Sequence, residues 1–153
     1  MSLNIRRAGA ADALALADLY LAARKIHLAF APLAHGNDEV RVWIAEQLLP
    51  AGSTWLIEEG AQALGLLSHS VDADGQAWID QLYLRPDLVG RGLGARLLAH
   101  ALAGLPRPLR LYTFLANAGA RRFYERHGFA VIAAGDGSDN EEGCPDLLME
   151  LRG

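Results

Sequence analysis

The spacing of apolar residues changes along the chain, and the changes mark its elements. Residues 3–6 form a short run followed by Gly9, which predicts a brief strand. An Ala/Leu-rich stretch over 11–25 follows. Leu14, Ala17 and Leu21 recur at helical spacing, and Leu16, Leu19, Tyr20 and Ala23 widen the stripe, so a helix is expected. Residues 27–38 contain Pro32, Gly36 and Asn37 and read as an irregular connection. Asn37 or Asp38 is expected to cap a second helix over 39–49, with Val40, Ile44, Gln47 and Leu48 along one face. Pro50 and Gly52 end it.

The middle of the chain has strand character. Runs at 53–58, 62–71 and 76–84 are separated by Glu59-Gly60 and by Asp72-Ala73-Asp74-Gly75, both suited to hairpin turns. Three consecutive antiparallel strands are expected. Helix 94–103, strand 109–115, helix 118–127 and strand 129–134 then alternate. A polar loop over 135–142 leads to a last strand at 146–151. Two helices, a meander, then strand–helix–strand–helix–strand predict an α/β (α+β) fold. Its sheet is mixed, mostly antiparallel and of about seven strands, with helices on both faces.

Composition narrows the class. A chain of 153 residues suits one domain, 1–153, and 52% apolar against 21% charged residues is enough to build a core. The formal net charge of −4 argues against nucleic acid as the main partner, because binding a duplex requires Lys and Arg to neutralise phosphates. One Cys excludes a disulfide framework and a Cys-cluster zinc site. Asp12 and Asp18 interrupt the N-terminal apolar stretch, so no secretory signal is expected. No run reaches the ~18 apolar residues of a membrane span, and a soluble cytoplasmic protein is the expectation.

The segment with most chemistry is Val89-Gly90-Arg91-Gly92-Leu93-Gly94-Ala95. It follows the strand that ends at Pro86 and opens the helix whose stripe is Leu93, Leu97, Leu98, Ala101 and Leu102. Glycines at alternate positions permit positive φ and close approach of a ligand to the main chain. The helix start offers unpaired N–H groups and the positive end of the dipole, which suits phosphate or diphosphate. The same residues can also form a turn that binds nothing. A Walker loop is excluded because Arg91 and Leu93 do not supply Gly-Lys-Ser/Thr. A dinucleotide fingerprint is excluded because Leu97 replaces its third Gly and no acidic residue follows at the required distance.

Here the chain resembles the acyl-CoA-dependent N-acetyltransferases of the GNAT superfamily. Their diphosphate loop reads Gln/Arg-x-x-Gly-x-Gly/Ala, and this chain departs from it at Val89. Asn117-Ala118-Gly119-Ala120-Arg121-Arg122-Phe123-Tyr124-Glu125-Arg126-His127-Gly128-Phe129 is similar to a second family motif, Asn-x-x-Ala-x-x-Phe-Tyr-x-x-x-Gly-Phe. Independently of any family, Asn117 can cap this helix, and Gly128 can end it.

The resemblance implies acetyl-CoA as cosubstrate, no metal, and direct attack of an amine on the thioester. The amine must lose a proton, the carbonyl oxygen must be stabilised, and the departing thiolate must be protonated. By resemblance, the strand before the glycine turn splays from its neighbour. The main chain of Leu82, Tyr83 and Leu84 then meets the pantetheine arm, with the Leu82 N–H as oxyanion donor. Tyr124 is the candidate acid, since a phenol near 10 can protonate a thiolate near 8.5. Asp80 is the candidate base, and strand alternation is expected to put it on the face of Leu82 and Leu84, with the Tyr83 ring in the core opposite. Asn117, Ala120 and Phe123 join the glycine turn (Val89 to Ala95) as coenzyme-binding residues.

Other residues have weaker readings. Arg91 can assist a phosphate, whereas Arg96, Arg121 and Arg122 read as exposed helix surface. The five histidines lack metal-ligand spacing. His35 lies in the connection that shapes the acceptor pocket in this family, and Cys144 reads as a packing residue. Residues 25–40, the meander and the 135–144 loop should form that pocket. Their Asp38, Glu39, Asp136, Asp139, Glu141 and Glu142 favour a cationic acceptor. The function expected is acetyl transfer to a primary amine. The rival readings are a non-catalytic acyl-CoA-binding regulatory domain and, more remotely, a nucleotide-binding oxidoreductase. Neither nucleic acid nor membrane is expected as a partner. An edge strand at the C-terminus offers a surface for a homodimer.

Overall fold

The computed structural model describes residues 2–27 and 35–153. Its strands are β1 (Leu3–Arg7), β2 (Thr54–Glu59), β3 (Gln62–Val71), β4 (Ala77–Leu84), β5 (Leu109–Phe114), β6 (Ala130–Gly135) and β7 (Asp146–Leu151). The helices are α1 (Ala13–His27), α2 (Asn37–Trp43), α3 (Leu93–Gly104) and α4 (Ala118–Arg126). The seven strands form one sheet in the order β1-β2-β3-β4-β5-β7-β6. Every pairing is antiparallel except that of β4 with β5. This is the mixed, mostly antiparallel α/β sheet that the sequence predicts. The strand expected to end the sheet, β7, instead lies between β5 and β6, so β6 is the edge.

Helices cover both faces. On one, Leu16, Ala17 and Leu19 of α1 with Val40 of α2 and Ile44 pack on Leu56 and Leu66. On the other, Leu93, Leu97, Leu98 and Ala101 of α3 with Tyr124 of α4 pack on Ile57, Leu67, Ile79, Leu111 and Met149. Each fully buried Leu or Ile contributes about 1.5–3 kcal/mol relative to exposure.

Three local expectations are corrected. Leu14 is 69% exposed; the buried stripe of α1 runs instead through Leu16, Ala17, Leu19, Ala23 and Arg24. Neither Asn37 nor Asp38 caps α2, whose N-cap is Gly36 without a side-chain bond. The second half of the predicted 39–49 helix is a π-helical turn, Ile44–Leu48, in which the Leu49 amide donates to the Ile44 carbonyl. The extra residue per turn rotates Gln47 out to solvent and brings Leu49 into the core. Pro32 lies outside the described residues. No described helix is long and apolar enough to cross a membrane.

Candidate active site

The site begins with a bulge. β3 and β4 pair Ser68 with Gln81 and then His69 with Ile79, so Asp80 is an extra residue in β4. A bulge sharpens local twist and bends its strand. The parallel ladder between β4 and β5 covers only Ala77–Leu109, Trp78–Arg110 and Ile79–Leu111. Beyond Ile79, β4 continues to Leu84 and β5 to Phe114 without a further pair between them. One edge of β4 after Asp80 thus lacks a strand partner among the described residues, and a cleft opens between the diverging strands.

The bulge also overturns the alternation argument. Ile79, Leu82 and Leu84 pack in the same core although their positions differ in parity. Alternation therefore does not place Asp80 on the side of Leu82 and Leu84. Asp80 is absorbed at the bulge and exposed to the cleft. The strands around it withhold part of its water, which raises its pKa. A hydrogen bond with Ser70 and the nearby His69 partly oppose that rise.

The cleft has a volume of about 1040 Å³. Asp80, Leu82, Tyr83, Asn117, Ala120 and Tyr124, all singled out from the sequence, line it. Leu84, Phe123 and the glycine turn do not line this volume. Gly94 and Phe123 nevertheless connect the regions, because a Cβ on Gly94 would sit 3.4 Å from the Phe123 ring and 3.5 Å from Leu84. The turn and the start of α4 are therefore packed side by side.

Tyr124 is buried, with its ring edge-on to Phe123 and Phe129. Burial and the neighbouring Tyr83 phenol raise its pKa, so the hydroxyl keeps its proton. Asn117 caps α4, its Oδ1 accepting from the Ala120 amide at 3.2 Å. Gly128, at φ +95°, ends the turn after α4.

The glycine turn has two different kinds of glycine. Gly90 and Gly92 have φ of +89° and +80°. Nothing lies within 4 Å of a Cβ built on either, so glycine is required there by backbone conformation and leaves open space in front. Gly92 is the N-cap of α3 in the left-handed conformation, with no side-chain cap and no acidic residue in the first turn. The first amides of this twelve-residue helix thus lack a capping side chain. An uncapped helix start, open space before it and exposed Arg91 beside it fit a diphosphate. Val89 is 54% exposed and contributes no charge.

The wall of the cleft contains a group the sequence reading missed. Arg24, at 6% exposure, reaches from α1 to Glu142 at 3.2 Å and to the Tyr83 hydroxyl at 3.4 Å. Its guanidinium lies 5.9 Å from the Tyr20 ring. Tyr20 and Tyr83 meet edge to face at 4.9 Å, and burial raises both phenols, Tyr20 to about 12. The Tyr83 ring therefore packs as expected, but its hydroxyl belongs to the cleft. The signal for Arg24 was available: it follows Tyr20 by four residues, which puts a charge on an apolar helical stripe.

At the rim, His35 bridges Glu39 at 3.1 Å and Glu141 at 3.0 Å, and these bonds raise its pKa. Of the expected acidic residues, Glu39, Asp139, Glu141 and Glu142 line the cleft, together with Asp80 and Asp146; Asp38 and Asp136 do not. Arg121 donates to the Leu115 carbonyl.

Comparison with known proteins agrees with this architecture. The probable N-acetyltransferase Rv2775 of Mycobacterium tuberculosis is 32% identical over 99 residues, which are 60% of this chain and 57% of that protein. The chain thus matches little more than half the length of that relative. Apo-form YjaB of Escherichia coli superposes with a TM-score of 0.78 at 25% identity, covering 98% of this chain and 97% of that one. The PaiA N-acetyltransferase of Thermoplasma acidophilum, solved with coenzyme A, shares the fold at a TM-score of 0.77 and 22% identity over the full length of both chains. Residues 20–129 match the sequence model of the Acetyltransferase (GNAT) family. The chain belongs to the GNAT acetyltransferase family.

Proposed function

We propose that this protein transfers an acetyl group from acetyl-CoA to the primary amine of a cationic acceptor. The observation that carries this reading is the divergence of β4 from β5 at the Asp80 bulge. It gathers a carboxylate, a buried phenol and an unpaired main-chain edge around one cleft beside an uncapped helix start. Gly90, Gly92 and the first amides of α3 would hold the coenzyme's diphosphate, with Arg91 adding charge. Bound acetyl-CoA supplies an activated acyl thioester.

The chain's own residues perform the remaining tasks. Main-chain N–H of the Leu82 region, on the free edge of β4, stabilises charge developing on an acyl oxygen. Asp80 accepts a proton from the acceptor ammonium, directly or through water in the cleft; its raised pKa makes it a stronger base than a free carboxylate. Tyr124 holds a proton for the departing sulfur. The burial that strengthens its O–H bond also strengthens the proton affinity of a thiolate in the same environment, so the transfer is not opposed by burial alone. Six carboxylates line the cleft against Arg24 and His35, which supports an acceptor with positive charge.

The test is release of free thiol from acetyl-CoA against a panel of amines, run beside Tyr124→Phe. The expected result is acceptor-dependent release, reduced in the variant by about 10²–10⁴-fold in kcat with little change in acetyl-CoA affinity. Coenzyme binding without acceptor-dependent release would instead identify a non-catalytic acyl-CoA-binding domain.

A further inference from the structure

The last pair of the parallel ladder is Ile79–Leu111. The next residues on the two strands are Asp80 and Tyr112, so a carboxylate and a phenol ring flank the point where β4 and β5 part. Both are exposed and both line the cleft. Tyr112 is 59% exposed although β5 lies inside the sheet, and proton transfer by Asp80 and Tyr124 gives it no task.

The ring is held in place from behind. Tyr112 stacks on Trp78, with ring centroids 5.4 Å apart and planes 7° from parallel. Trp78 is fixed in turn. Its indole N–H donates to Asp72 Oδ2 at 2.9 Å, and Asp72 Oδ1 accepts from the amides of Asp74 and Gln76. Tyr112 lines the cleft and Trp78 does not, so Trp78 backs one face of the phenol ring and the other face is open to the cleft. The cleft floor beside it is apolar: Leu148, the cross-strand partner of Tyr112, with Phe114, Ala133 and Ala134. A stacked pair with a free outer face is extended most favourably by a third ring, because offset stacking suits the quadrupole of each ring and removes apolar surface from water.

We propose that Tyr112, backed by Trp78, selects the acceptor: the amine that meets Asp80 belongs to an arylalkylamine, whose aromatic ring stacks on the open face of Tyr112. The proposal rests on acetyl transfer in the same cleft. Neighbouring strands lie about 4.8 Å apart, and these two diverge, so a linker of about two to three carbon atoms joins amine and ring. The carboxylates of the cleft attract any ammonium, whereas the platform discriminates among them by what the ammonium carries.

The test compares 2-phenylethylamine with 2-cyclohexylethylamine, which match in charge and linker and differ in the flat ring. Binding is read by titration calorimetry with coenzyme A present, and turnover by thiol release from acetyl-CoA. The aromatic amine should bind about three- to tenfold more tightly and show the same preference in kcat/KM. Tyr112→Ala should bring that ratio to about one, and Tyr112→Phe should keep it. Equal affinity for the two amines, or no binding of either, overturns the inference. So does a preference that survives Tyr112→Ala, and loss of preference in Tyr112→Phe overturns stacking as its cause. Thiol release without the preference leaves acetyl transfer standing. Preferential binding without thiol release keeps the platform and overturns acetyl transfer instead.

Discussion

The glycine turn and the Arg24 wall of the cleft are built in different ways. The turn uses neighbouring residues and main-chain groups: Gly90, Gly92 and the first amides of α3 lie within a few positions of one another. The wall uses side chains from distant segments: Arg24 meets Glu142 across 118 positions, and His35 meets Glu141 across 106. A main-chain site tolerates a neighbour such as Val89 in place of a polar residue, because its donors are amides. A side-chain site depends on each partner, because removing one leaves another buried without its counter-charge.

The sharpest way to break this contrast is at Glu142. Glu142→Gln leaves the Arg24 guanidinium buried without a carboxylate and should cost about 3 kcal/mol, or roughly 6–12 °C in Tm. Arg24→Met removes the charge that needs pairing and should cost much less, since apolar replacements of buried pairs are often neutral. Calorimetry of the two variants checks the order. An equal loss in both would mean that the pair contributes packing alone.

The turn should respond to backbone changes and to little else. Gly92→Ala puts a side chain at φ +80° and should cost about 1–2 kcal/mol while weakening coenzyme binding. Gly94→Ala, in helical conformation with ordinary contacts to Phe123 and Leu84, should be close to neutral. Titration calorimetry with coenzyme A and thermal melts of both variants separate the two kinds of glycine.

Asp80 belongs to neither wall, and its prediction concerns pH. Its raised pKa places the acid limb of the rate profile above the ordinary carboxylate range near 3.9. Raised in the folded state, it makes the charged form oppose folding at neutral pH. Asp80→Asn should therefore remove the acid limb and lower kcat while leaving stability unchanged or higher. Rate and melting profiles against pH check both signs.

The smallest effect should come from His35, which is half exposed. Its pKa is raised by Glu39 and Glu141, so its contribution is fully present below the unfolded value near 6.5 and is lost as pH rises through the folded value. His35→Gln should flatten that step in melting temperature against pH, with kcat unchanged at high pH. A step that survives the substitution would assign it elsewhere.

What the sequence showed followed from short-range rules. Hydrophobic period and turn residues located all seven strands and α1, α3 and α4 to within about three residues, whereas the end of α2 was missed. Asn117 as a cap, Gly128 as a helix end and the open Gly90–Gly92 pair were legible because each acts on residues a few positions away. The Asp80 bulge was not legible. Strand alternation assumes a regular ladder, and nothing in Ile79-Asp80-Gln81 shows that β3 will pair one residue short. The π-turn at Ile44–Leu48 escaped for the same reason, since a helical period cannot register an inserted residue that tertiary packing favours.

By itself, the sequence determined which segments are helix or strand and that the start of α3 follows glycines without a capping side chain, because those properties depend on local conformation. Tertiary structure alone decided that β7 lies inside the sheet with β6 at its edge. It also decided that the splay of β4 from β5, which the family resemblance implies, begins at the Asp80 bulge, and that Arg24 finds Glu142 and Tyr83. Those outcomes depend on strand order, register and burial, where groups far apart in the chain compete for the same partners and the same little water.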